Sequence, residues 1–163
     1  MTRPDFFHFH NGDKVALPFS QDEYDTRLMG LRSAMDATGA EVAVLTPMQN
    51  IAYYSGFLYC PFGRPHGLVV TASDAVTISA GIDAGQPRRR CATDNMTCTD
   101  WARDNFRRAV AHVAGTGRAA GRYPVAEHLS DDLGLLHRAG TDDVHGRGGC
   151  RQPGDLAGQC RRA

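Results

Sequence analysis

Apolar residues in the first quarter of the chain recur with a helical period. Tyr24, Leu28, Leu31 and Met35 follow one another at spacings of four, three and four, which lines one face of an amphipathic helix. Ser20, with Glu23 three residues on, forms a capping box ahead of that stripe. Gly39 stands where a helix would end, and Arg27, Arg32 and Asp36 fall off the stripe. The period then changes. Glu41–Thr46 is an apolar run of strand length closed by Pro47. His66–Ala72 and Ala75–Ala80, joined by Ser73-Asp74, predict a β-hairpin. Residues 48–65, MQNIAYYSGFLYCPFGRP, are dense in aromatics and punctuated by Gly and Pro, which predicts a short helical turn followed by a loop. Gly81–Arg90 reads as a loop containing Arg88, Arg89 and Arg90, and Met96–Thr99 as a short strand. Asp100 is placed to cap a helix from Trp101 to about Ala114, with Trp101, Phe106, Val110 and Val113 as its apolar stripe and Gly115 and Gly117 beyond it.

This order of elements predicts an α/β fold, a mixed β-sheet with flanking helices. Residues 1–19 carry little periodicity and read as an N-terminal arm, with a turn at Asn11-Gly12-Asp13. Residues 20–117 form the folded domain. Residues 118–163 differ in kind: they contain no Ile, Phe, Met, Lys, Trp or Asn, and only Leu129, Leu133, Leu135 and Leu136 hint at a helix. We expect this tail to be poorly ordered.

Charge and composition narrow the function classes. A length of 163 residues suits one compact domain, and the formal net charge is zero. A nucleic-acid partner is therefore not expected, since phosphate neutralisation needs a concentrated positive field. No apolar run approaches the roughly 20 residues that span a bilayer, and the first residues lack the apolar core of a secretion signal. A cytoplasmic protein without membrane contact is expected. The five cysteines, Cys60, Cys91, Cys98, Cys150 and Cys160, include no C-x-x-C pair, so packed thiols are expected rather than a disulfide framework or zinc ribbon. Tyr53, Tyr54, Phe57 and Tyr59 read as packing residues. His8-x-His10 with Asp5 imitates a metal site, but two histidines on an arm are a weak signal. No metal, cofactor or catalytic residue is assigned, and His128, His137 and His145 receive no role.

The strings NIAYYSGFLYCPFGRPHGLVVT, ISAGIDAGQPRRR and TDNMTCTDWARDN resemble the N-terminal domain of bacterial creatinases, with similarity running from about Asn11 to Arg107. The Phe-Gly-Arg-Pro loop and the later Gly-Gln-Pro and Thr-Asp-Trp are particular to creatinases within the wider aminopeptidase P and prolidase superfamily. The resemblance implies an N-terminal domain of a homodimeric enzyme that hydrolyses creatine to sarcosine and urea without a metal. In that family the catalytic histidine and the guanidinium-binding glutamates lie on a separate pita-bread domain. The N-terminal domain presents a Phe and an Arg to the active site of the other subunit, here Phe62 and Arg64. The residue chemistry agrees: an arginine holds a carboxylate through paired charge-assisted hydrogen bonds, and a phenyl ring packs on a methyl or guanidinium face.

After the Trp101 helix, Gly117–Val125 does not supply the strand that the family places there. A one-base shift of a GC-rich back-translation from Gly149 yields a stretch similar to the family's segment before its linker. A frame change near Arg147 and a missing catalytic domain are thus expected. The leading expectation is a substrate-contacting and dimerising domain, inactive alone. The alternatives are a non-catalytic binding or dimerisation module, or the N-terminal domain of an aminopeptidase P- or prolidase-like peptidase.

Overall fold

The computed structural model describes residues 3–8, 10, 12–58, 64–83, 85–99, 103–116 and 134–136. Its first helix, α1 (Gln21–Thr38), begins and ends where the sequence places it. The Ser20 hydroxyl accepts the Glu23 amide at 3.3 Å. At the other end the Gly39 amide donates to Asp36 O at 3.1 Å and the Ala40 amide to Met35 O at 2.9 Å, a Schellman pair. Tyr24, Leu28, Leu31 and Met35 are all buried. Strand β2 (Val42–Leu45) follows, then helix α2 (Met48–Ser55). The hairpin is β3 (Gly67–Thr71) and β4 (Ala75–Ala80), and its connection is held by the Thr71 amide donating to Asp74 O at 2.9 Å. Beyond a 3₁₀ turn at Gly81–Asp83 come helix α3 (Gln86–Arg89), strand β5 (Asp94–Cys98) and helix α4 (Arg103–Thr116).

The sheet is mixed, as expected. β2 and β3 pair antiparallel, β3 and β4 antiparallel, and β4 and β5 parallel. Alternation along the strands divides the interior in two. Val42, Val44, Val69, Val76, Ile78, Met96 and Cys98 pack with Phe106, Ala109, Val110 and Val113 of α4. Ala43, Leu45, Leu68 and Val70, from the opposite face, pack with Leu28, Leu31 and Met35 of α1 and Ile51 of α2. The two-residue period thus covers the central strands with helices on both faces.

The structure corrects the sequence reading in three places. The arm is not featureless: Phe6–Phe7 form a strand, β1, antiparallel to β5 at one edge of the sheet. Gly81–Arg90, read as a loop, contains the 3₁₀ turn and α3. Gly134–Leu136, within the stretch whose leucines hint at a helix, form strand β6, antiparallel to β2 at the other edge. The sheet order is β1-β5-β4-β3-β2-β6. Trp101 and the expected Asp100 cap lie outside the described residues.

A polar ladder is also buried. Asn95 Nδ2 donates to Thr77 O and Thr77 Oγ1, each at 3.1 Å, and to Ser79 Oγ at 3.2 Å, while Thr97 Oγ1 donates to Asn95 Oδ1 at 3.1 Å. All four residues are fully buried; the amide of Asn95 partners the hydroxyls of Ser79 and Thr97, and Thr77 Oγ1 also donates to Asp94 O at 3.0 Å.

Candidate functional site

The parallel pairing of β4 with β5 sets Ala80 beside Cys98, so the carboxyl ends of both strands open on the same side. That end of an α/β sheet is where loops gather functional groups. Gly81 makes the crossing at closest range: a Cβ there would stand 2.7 Å from Cys98 O, so only glycine lets the chain leave β4 against the end of β5. Here Arg64, Ala80, Gly81, Ile82 and Thr99 line a pocket of about 240 Å³. A second hollow of about 310 Å³ shares Ile82 and adds Phe57, Leu58, Asp83, Gln86, Pro87 and Arg90.

Arg64 leads into β3, and its guanidinium lies 3.7 Å from the Asp83 carboxylate, both side chains being largely buried. Asp83 is the residue the sequence reading missed. It lies nineteen positions from Arg64, and only the fold brings the 3₁₀ turn back to the start of β3. Asp83 balances the charge of Arg64 and limits the directions in which the fork can point. Phe62 and Gly63 lie outside the described residues. His66 continues from Arg64; burial pushes its imidazole below the ordinary value of 6.5, and a hydrogen bond to the Arg64 main chain acts the other way. The apolar face near the site is open: Leu58 and Ile82 are each 74% exposed.

Other candidates resolve into structure. Arg27 falls off the apolar stripe, as read from the sequence, and is held by its neighbours. Its guanidinium stands 4.3 Å from the Phe19 ring centroid and 4.4 Å from that of Tyr53, donates to Tyr53 O at 2.8 Å and pairs with Glu23 at 2.9 Å. Phe57 is buried and Tyr54 packs on the same core, as expected, whereas Tyr53 is half exposed; Tyr59 and Cys60 lie outside the described residues. Burial pushes the Cys91 thiol up, against the nearby positive charge of Lys14, and Cys91 Sγ donates to Thr93 O at 3.0 Å. It is a packed thiol rather than a nucleophile. Cys98 is buried at the end of β5. Asp5, grouped with His8 and His10 in the sequence, turns instead to Arg108 at 2.9 Å. A hollow of about 280 Å³ near Arg32 and Asp36 lies by the far ends of β2 and β3, and Arg32 is committed to Thr71 O at 2.9 Å. No helix among the described residues is long and apolar enough to cross a membrane.

Comparison with known proteins agrees with the resemblance. A sequence model described as Creatinase/Prolidase N-terminal domain matches residues 27–128. A creatinase from Bacillus sp. (strain B-0618) is 44% identical over 126 residues, which cover 76% of this chain and 31% of the relative. Among solved structures, dipeptidase PepE from Mycobacterium ulcerans superposes with a TM-score of 0.49 at 22% identity, over 60% of this chain and 27% of that one. An Xaa-Pro aminopeptidase from Streptococcus pyogenes gives a TM-score of 0.47 at 18% identity, over 60% of this chain and 70% of that one.

Proposed function

The chain belongs to the creatinase/prolidase N-terminal domain family, and on that premise we propose that it is the substrate-contacting domain of a creatinase-type hydrolase, with Arg64 holding the carboxylate of creatine beside a catalytic domain. The observation that carries this reading is the position of Arg64. Arg64 lines a pocket at the carboxyl ends of β4 and β5, with its guanidinium 3.7 Å from the Asp83 carboxylate. A carboxylate entering the pocket would complete an Asp–Arg–carboxylate arrangement, with the arginine fork shared between two acceptors. Holding the non-reacting end of the substrate orients the scissile C–N bond for groups supplied from elsewhere. Phe62, two residues before Arg64, would pack on the methylguanidinium in the same pocket. The 44% identity to a creatinase favours this substrate over the prolyl peptides of a peptidase, which the family also covers.

The chain spans under a third of that creatinase's length. The purified chain alone is therefore expected to release neither sarcosine nor urea from creatine. The exposed Leu58 and Ile82 fit a surface covered by a second domain or subunit of a homodimer. The test is a chimaera in which this chain replaces the matched segment of the Bacillus creatinase, assayed for urea release. Arg64→Ala should raise KM for creatine by about 10²-fold, the loss of a hydrogen-bonded charge pair, with a smaller change in kcat. An active chimaera whose KM is unmoved by Arg64→Ala and Arg64→Lys would remove Arg64 from the substrate.

A further inference from the structure

The register that faces Phe6 with Cys98 and Phe7 with Thr97 directs the arm back along β5 toward its first residue, Asp94. Two histidines meet the carboxylate there. His8 Nδ1 lies 3.8 Å from Asp94 Oδ2, and His10 Nε2 lies 3.8 Å from Asp94 Oδ1. One donor atom from each of the three residues falls within 4.8 Å of the others. We propose that His8, His10 and Asp94 bind one divalent transition-metal ion of the zinc class, clamping the N-terminal arm to the start of β5.

Three observations support the assignment. The donor set is two imidazoles and one carboxylate, a combination that suits zinc and its neighbours and not magnesium or calcium, which take oxygen ligands. The separations are close to those needed. Zinc–nitrogen and zinc–oxygen bonds of about 2.0–2.2 Å put tetrahedral donors roughly 3.4 Å apart, so the His–Asp distances of 3.8 Å, one to each carboxylate oxygen, need close by a few tenths of an ångström, and no pair in the set by more than about 1.4 Å, within reach of side-chain rotation at the surface. An outer contact is in place too. Asp94 Oδ1 accepts the Asn95 amide at 2.9 Å, which fixes the carboxylate. His8 Nδ1, the ring nitrogen that faces Asp94, also lies 2.9 Å from Asn95 O, a contact it gives up when it takes the ion. All three residues are exposed, so water can complete the coordination shell and the ion can enter without rearranging the core. The sequence hid the site because the third ligand lies eighty-four residues beyond His10, whereas Asp5, three residues before His8, is engaged with Arg108.

The test uses the full chain, stripped with EDTA and titrated with Zn²⁺ by calorimetry against a competing chelator. Co²⁺ is titrated in parallel so that its visible spectrum reports the coordination. We expect one Zn²⁺ per chain at the tightest site and a higher Tm when it is filled. His10→Gln and Asp94→Asn should each weaken that site by at least about tenfold, the smallest loss typical even of outer-shell changes, and abolish the Tm rise. Far-UV circular dichroism should be unchanged, since both side chains are at the surface. His8→Gln, which keeps a donor for Asn95 O, should weaken binding to the same degree. Absence of binding at millimolar Zn²⁺, or a tightest site whose affinity is the same in His10→Gln and Asp94→Asn, would overturn the proposal.

Discussion

His66 links the candidate site to the stability of the fold through one proton. Burial holds its imidazole below the ordinary value of 6.5, so the folded chain binds this proton less readily than the unfolded chain does. The linkage therefore has one sign: the neutral ring costs nothing above pH 6.5, and stability is lost as the pH falls from 6.5 through the lowered folded-state value. Urea midpoints measured between pH 7.5 and 5 should fall for the native chain, and His66→Asn should flatten part of that slope. An unchanged slope in the variant would show that other groups carry the acid sensitivity. Residue-scale chemistry of this kind was only half legible. The Phe-Gly-Arg-Pro string marks Arg64 because it is contiguous, whereas Asp83 and the burial of His66 arise from how β3 and the turn after β4 come together. No local pattern encodes that approach.

Elements announced themselves in proportion to their length and to how far a single face was buried. Helix α1 was legible to the residue because its capping box, apolar stripe and terminal glycine agree with one another. The two-residue strand β1 and the three-residue β6 are too short to show a period, and both exist through pairing with β5 and β2. Helix α3 spans only four residues and carries three consecutive arginines up to its cap, so no stripe could mark it. Two helix-ending glycines offer a quantitative check at this scale. Gly39 and Gly56 have nearly the same positive φ, 70° and 74°. A Cβ on Gly39 meets nothing within 4 Å, whereas one on Gly56 would stand 2.7 Å from the hydroxyl oxygen of Tyr24, whose side chain is 1% exposed and cannot retreat. Gly39→Ala should cost about 1 kcal/mol, the left-handed backbone penalty alone. Gly56→Ala should cost about 3 kcal/mol, because overpacking adds to it. Equal losses in urea unfolding would mean that Tyr24 yields and that α1 and α2 are less firmly locked than the geometry indicates.

At the scale of the whole molecule, the arm closes the sheet. The Val15 amide donates to Arg89 O at 2.9 Å, the Thr99 amide to Asp5 O at 2.9 Å, and Thr99 Oγ1 hydrogen-bonds Pro4 O. Between these contacts Lys14, the chain's single lysine, donates to Cys91 O at 2.6 Å and to Thr93 O at 3.3 Å. Residues 1–19 carry little periodicity because these contacts come from backbone groups and one long side chain, neither of which leaves an apolar period. Cys91 lies beneath this closure, fully buried, with its thiol held protonated by burial. Its modification by a neutral maleimide therefore requires the arm to lift. Lys14→Met keeps the aliphatic stem and removes the bonds to the two carbonyls, a loss of about 1 kcal/mol for a partly solvated hydrogen-bonding group. Opening should become about fivefold more frequent, given tenfold per 1.4 kcal/mol. Peptide-resolved mass spectrometry should then show Cys91 labelled about fivefold faster in the variant. The opposing electrostatic effect works against this outcome, since losing the ammonium raises the thiol further and slows the chemical step. Faster labelling would thus show that the arm governs access to the core, and slower labelling would show that Lys14 matters only through its charge.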